Sequence, residues 1–221
     1  MNWMAMDWLL ILEATFDTLL MTGVSLLFAV LIGLPVGVAL FMTGPGQFRG
    51  YPAVYQTLSL IVNVLRSVPF LILLIVMIPL TRVLAGTSLG VAGSIPPLVA
   101  SAAPFFARLV ETSLKELNPG VSEACRAMGA TPVQTVWLAL LPEARTGILA
   151  GVVVTAIMLV GYSAMSGVIG GGGLGDLAVR FGYQRYQTDV MVVTVLILVV
   201  MVQLMQLIGD RLVDMLNRRI S

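Results

Sequence analysis

Gln56, Ser59, Asn63 and Arg66 are spaced three, four and three residues apart in a segment that is otherwise apolar from Tyr51 to Thr81. On an α-helix that spacing puts all four on one face. Amides, a hydroxyl and a guanidinium can hydrogen-bond a polar solute, and Arg66, with Ser67 beside it, can attract a carboxylate. The same face serves as glue between helices, with Arg66 reaching to a membrane interface. Both readings turn it away from lipid. Pro69 bends the helix and frees the carbonyl of Leu65, for which Arg66 or Ser67 is a nearby donor. Tyr162, Ser163, Met165 and Ser166 form a second group. Their side chains can contact a passing solute or satisfy neighbouring backbone and packing.

Other chemistries lack their residues. There is no histidine, and Cys125 is the one cysteine. The usual zinc, copper and haem ligand sets and a His-dependent triad are therefore missing. The apolar runs hold no His, Asp, Glu or Cys, which argues against an intramembrane enzyme. Gly170, Gly172 and Gly175 satisfy G-x-G-x-x-G, but after an apolar helix rather than a strand, so a nucleotide fold is rejected. They predict a flexible turn that can form part of an outer gate. No GxxxxGK[ST] phosphate loop occurs, and a net charge of +1 argues against nucleic acid.

The elements that position these residues are membrane spans. The chain has 221 residues, 58% of them hydrophobic and 10% charged, against about 25% charged in a soluble domain. Charge-free runs cover Thr18 to Phe48, Val83 to Ala107, Thr146 to Gly175 and Val190 to Gly209. Each is long enough for a hydrocarbon core of about 30 Å. With the Arg66 segment they predict an all-α membrane protein of five transmembrane helices, over 16–43, 55–80, 88–110, 146–169 and 189–213. All of 1–221 reads as one membrane domain surrounded by lipid. Residues 3–16, with Trp3, Trp8 and Phe16, predict an interfacial lead-in. No Lys or Arg precedes Arg49, so the start lacks the basic segment of a signal peptide. Arg49, Arg108, Lys115, Arg126, Arg145, Arg211, Arg218 and Arg219 share one side, against Arg82, Arg180 and Arg185 on the other. The richer side is the cytoplasm, which puts the N-terminus outside and the C-terminus inside. Gly33 and Gly37, and Gly147 and Gly151, are G-x-x-x-G pairs for close helix packing, within the chain or between copies. Arg108, Glu111 and Lys115 extend the third span as a solvated helix.

The loop 111–145 is predicted as two short helices. Asn118 caps the first, with Pro119 at its first position. Val121, Ala124, Cys125 and Met128 form its apolar stripe, and Gly129 suits a left-handed C-terminus. Thr131-x-x-Gln134 is a capping box for the second. Val133, Val136, Trp137 and Leu140 form its stripe, and Pro142 ends it. Such a loop is either an amphipathic elbow on the membrane or a docking surface for a partner.

Glu123-Ala124, Gly129 and Leu141-Pro142, at fixed spacing, resemble the EAA loop of ABC-importer permeases. Cys125 and Ala139 replace the usual Ala and Ile. Thr43 to Gly46, Ile61 to Phe70, Met77 to Arg82, Ala127 to Pro132, Gly161 to Met165 and Gly172 to Gly175 look like permease subunits of methionine importers. The last piece also resembles osmolyte and phosphonate permeases. The resemblance implies a type I ABC-importer permease fold in the bacterial cytoplasmic membrane. It further implies a homodimer seated on two ATPase subunits and supplied by an external methionine-binding lipoprotein. ATP and Mg would be held by the ATPase partner and no cofactor by this chain, which would be a transport subunit and not an enzyme. Glu123, Ala124, Arg126, Met128, Gly129, Ala130, Thr131 and Pro132 would couple to the ATPase. Asn63, Arg66, Ser67, Tyr162, Ser163, Met165 and Ser166 are the substrate-pathway candidates. A permease for another amino acid or an osmolyte, and a passive channel or carrier, are the alternatives.

Overall fold

Asp7 starts the first helix. Its carboxylate accepts from the backbone N–H of Leu9 (3.2 Å) and Leu10 (3.3 Å), an N-cap that satisfies otherwise orphaned donors. The structure is a computed structural model that describes residues 7–46, 48 and 50–217. Trp3 of the expected lead-in, and Arg49, Arg218 and Arg219 of the charge count, lie outside the described residues. Helix α1 spans Trp8–Thr43. The lead-in and first span are thus one helix, because no Gly or Pro interrupts the chain between Trp8 and Thr22.

The second span is not one helix over 55–80. It is α2 (Pro52–Ser67), α3 (Phe70–Val76) and α4 (Ile78–Ala85), and α2 meets α3 at 101°. Pro69 breaks the ladder by removing an N–H and clashing with the turn before it. Ser67 donates its hydroxyl to the carbonyl of Asn63 (2.8 Å) rather than to Leu65. Gly86, at φ +73°, closes α4 in the left-handed conformation.

Helix α5 (Gly90–Lys115) is the centre of the bundle. Gly33 and Gly37 of α1 lie against its backbone. A Cβ on them would stand 2.7 Å from the Ala103 carbonyl oxygen and 2.5 Å from that of Ala107. From α9, a Cβ on Gly147 would meet Ser113 Oγ at 2.8 Å, and one on Gly151 would meet Leu109 Cβ at 3.3 Å. Both G-x-x-x-G pairs therefore pack within the chain. Phe106, Val110 and Leu114 fill one core with Phe41, Val136 and Leu140. Leu98 and Ala102 join Met21, Phe70 and Leu159 in another.

After α5 come α6 (Pro119–Ala127), α7 (Pro132–Thr135), a π-helical turn (Val136–Leu140) and α8 (Leu141–Glu143). Helix α9 (Arg145–Ser166), α10 (Gly173–Leu177), a second π turn (Ala178–Tyr183) and α11 (Thr188–Asn217) complete the described fold. The stretches Trp8–Thr43, Gly90–Lys115, Arg145–Ile169 and Thr188–Leu216 are long and apolar enough to cross a membrane, and the bent α2–α3 pair makes a fifth candidate. Large apolar side chains such as Leu12, Leu31, Leu196 and Val200 are exposed on the bundle, as hydrocarbon solvent permits.

The glycine-rich stretch is packed, not a loose turn. Gly173 to Leu177 are all buried, and the Leu174 N–H donates to Thr18 Oγ1 (2.9 Å). A Cβ on Gly175 would stand 2.2 Å from the Ala164 carbonyl oxygen. Glycine here permits close approach as well as positive φ.

Candidate functional site

Two features meet where α5 runs into α6. The first is the loop. Asn118 Oδ1 accepts from the Gly120 N–H (2.9 Å), with Pro119 at the first helical position. At the other end, Gly129 donates to the Arg126 carbonyl and Ala130 to that of Cys125, both at 3.0 Å. Gly129 has φ +81°. This is the Schellman arrangement, and it needs a residue that tolerates the left-handed region. Thr131 and Gln134 form the predicted capping box. Sequence reasoning thus places both helix starts and the turn between them.

It does not place the faces. In α6, Val121 and Cys125 are half-buried, whereas Ala124 and Met128 are exposed, Met128 by 78%. The short helix buries none of its residues fully, and Val121 packs with Leu117 against the core. Glu123, Arg126, Gly129, Thr131 and Pro132 are exposed too, and Ala130 is half-buried. In the second helix, Val136 and Leu140 are buried while Val133 and Trp137 are exposed. The π turn closes i→i+5, so Val133 keeps company with Trp137 and Val136 with Leu140, four apart, while positions three apart separate. Nor does Pro142 end the helical path. It sits in the first turn of α8, where its missing N–H costs no hydrogen bond, and α9 follows after Ala144.

Phe48 is a contact that sequence reasoning missed. The Arg126 guanidinium lies 4.9 Å from its ring centroid, and Phe41 meets it edge-on at 6.4 Å. Its φ is +31°, uncommon for an aromatic residue. Thr43 to Gly46 bends the chain back toward α6, but no short-range pattern marks Phe48 as its partner. Phe41, Lys115, Asn118, Ser122, Glu123 and Arg126 line a cavity of about 210 Å³ at this junction.

The second feature is an ion network. Glu111 is not solvated, being 1% exposed. Its carboxylate accepts from Arg108 Nη1 (2.5 Å), Lys115 Nζ (2.6 Å) and Tyr55 Oη (3.2 Å). Helix α2 lies over this part of α5, which is why Glu111 is buried. Arg108 Nη2 also donates to Ser59 Oγ (2.9 Å) and Asn63 Oδ1 (2.7 Å). A buried carboxylate requires such partners. Two residues of the α2 polar face are therefore glue to α5. Arg66 lies over the Phe105 ring at 5.8 Å, and the Asn63, Arg66 and Ser67 side chains remain exposed.

The second candidate group sits apart, on α9. Tyr162 stacks on Phe70 with centroids 4.5 Å apart and planes 8° from parallel, which ties α9 to the start of α3. Ser163 and Ser166 are buried, donating to the carbonyls of Val160 (2.8 Å) and Ser163 (2.7 Å). Met165 is exposed. Among the described residues no cluster of three His, Cys, Asp or Glu could hold a metal ion.

Comparison with known proteins places this arrangement. Residues 29–221 match the family model described as binding-protein-dependent transport system inner membrane component. The D-methionine transport system permease protein MetI of Escherichia coli (strain K12) is 54% identical over 73% of this chain and 74% of its own length. A chain from inward-facing structures of the MetNI methionine ABC transporter superposes with a TM-score of 0.92 at 50% identity, covering 96% of this chain and 97% of that one. A structure of an amino acid ABC transporter with histidines shares the fold, with a TM-score of 0.73 at 20% identity over 97% and 99% of the two chains. A helical bundle with an exposed, capped loop helix, matched along nearly its whole length, settles the family: the chain belongs to the inner-membrane components of binding-protein-dependent transport systems.

Proposed function

We propose that this chain is the membrane-spanning permease subunit of an ATP-driven importer that moves methionine across the inner membrane. What supports the reading most is the near whole-length likeness to a chain of a methionine ABC transporter. The exposed α6 and its left-handed turn at Gly129 suit the reading, because a helix that buries no residue of its own in the bundle has its surface left for a partner. Arg108, Lys115, Arg126 and Arg145 cluster at this end of the bundle, which on the positive-inside rule is the cytoplasmic one. The N-terminus is then outside and the C-terminus inside, with 1–221 a single permease domain.

On this reading two copies of the chain enclose the pathway and sit on two ATPase subunits. Glu123 to Pro132 is the surface that enters the ATPase, and ATP and Mg are held there rather than in this chain. Closure of the ATPase pair draws the two α6 helices together and opens the pathway outward. Hydrolysis returns it. An external methionine-binding protein delivers substrate to the opposite face. Asn63, Arg66 and Ser67, exposed on α2, are the pathway residues this chain offers to a zwitterion. Tyr162, Ser163, Met165 and Ser166 support the pathway from α9.

The test is purification of the tagged chain from its native membrane in mild detergent, followed by labelled methionine uptake into vesicles holding the purified complex. An equimolar ATPase subunit and ATP-dependent uptake, competed by methionine and not by other amino acids or osmolytes, is the expected result. A solitary oligomer that moves solute without ATP would replace this reading with a passive carrier.

A further inference from the structure

Helix α2 carries the exposed polar face yet has little apolar hold on the bundle. Among its described residues only Val62 is buried. Its hold on α5 is reinforced by polar atoms, with Ser59 and Asn63 accepting from Arg108, and Tyr55 donating to Glu111. Glu111 lies beneath them with both oxygens occupied. Lys115, the third donor to Glu111, is also the last residue of α5. It lines the junction cavity together with Glu123 and Arg126 of α6, and its ammonium lies 5.6 Å from the Tyr55 ring centroid.

Polar contacts thus run from Lys115, at the cavity it shares with Glu123 and Arg126 of the docking loop, through Glu111 and Arg108 to Asn63 on α2. An apolar interface can slide with small loss. A buried ion pair cannot, because breaking one partner strands a charge. The elements it joins therefore move together or change partners in discrete steps.

We infer that Glu111 is a positioning residue of the import cycle, tying the polar face of α2 to the docking loop so that movement of the loop reaches the pathway. The inference rests on the permease reading above.

The experiment uses the complex of this chain with its ATPase subunits, in vesicles supplied with the external binding protein. ATP hydrolysis and methionine uptake are measured separately. Glu111→Gln preserves shape and an acceptor but removes the charge. Uptake per ATP falls about tenfold, the size of a typical coupling free energy. Arg108→Gln gives the same loss, and the double variant is no worse than either alone by more than about twofold, since both break one network. A merely structural role would lower hydrolysis and uptake together and leave their ratio fixed. An unchanged ratio in Glu111→Gln, or losses that multiply in the double variant, overturns the inference. Tyr55→Phe deletes a single bond and keeps the ring. Should Glu111→Gln fail to assemble, an unchanged ratio in Tyr55→Phe overturns the inference equally. If the unaltered complex moves no methionine, it is the permease reading that fails.

Discussion

Replacing Gly129 by alanine isolates backbone strain from steric clash. A Cβ built there has nothing within 4 Å, while φ is +81°. The cost is then that of holding an L-residue in the left-handed region, about 1–2 kcal/mol. That reduces the occupancy of the native turn by roughly 5–30-fold relative to its alternatives. The bonds at risk are those from Gly129 to Arg126 and from Ala130 to Cys125. Their loss swings the end of α6 away from the capping box at Thr131. Because the turn is exposed, the bundle itself is spared. The assay is twofold, namely melting of the detergent-purified chain and methionine uptake per ATP in the reconstituted complex. Gly129→Ala should leave the melting curve in place and depress uptake per ATP. Gly129→Val should do so more strongly, and Gly129→Asn less, since Asn visits this region at lower cost. Full coupling in Gly129→Val would refute both the strain argument and the docking role of α6.

Three further outcomes follow from the same geometry. Gly37→Ala places a methyl 2.5 Å from the Ala107 carbonyl oxygen, so it should separate α1 from α5 at a cost of about 1–3 kcal/mol, as overpacking does, seen as a lower melting temperature. Phe48→Leu removes the ring under Arg126 and its edge contact with Phe41, about 1–2 kcal/mol from the two aromatic contacts together. It should speed hydrogen exchange around Phe48 while bundle melting stays put. Glu123→Ala, at an exposed position of α6, should leave folding intact and weaken co-purification of the ATPase subunit, and equal recovery of that subunit would count against the docking surface.

Which parts of this molecule the sequence discloses depends on how local their causes are. Caps are local, so Asn118, Thr131 with Gln134, and Gly129 are legible within a few residues of chain. Charge-free runs disclose four spans for the same reason. The fifth, over 55–80, reads as straight because mean hydropathy is blind to direction, and the 101° bend at Pro69 shows only in three dimensions. The π turn at Val136–Leu140 defeats a stripe drawn at 3.6 residues per turn. Glu111 shows its partners Arg108 and Lys115 at helical spacing, but its burial comes with Tyr55, 56 residues upstream, and the helix that carries it. The Gly170 to Gly175 stretch is ambiguous in principle, since freedom and close approach call for the same residue.

The two G-x-x-x-G pairs grip α5 on neighbouring faces, with the Phe106 ring between Gly33 and Gly151. At Gly33 and Gly37 the nearest atom is a main-chain oxygen, which has no rotamer to exchange. Any slide of α1 along α5 drives backbone into backbone, and the Gly147 contact with Ser113 resists a slide of α9. The helices α1, α5 and α9 consequently behave as one rigid slab with few internal degrees of freedom. Alternating exposure of a pathway then has to be produced by displacing whole slabs against each other, with local adjustment confined to α2–α4 and the loop from α6 to α8.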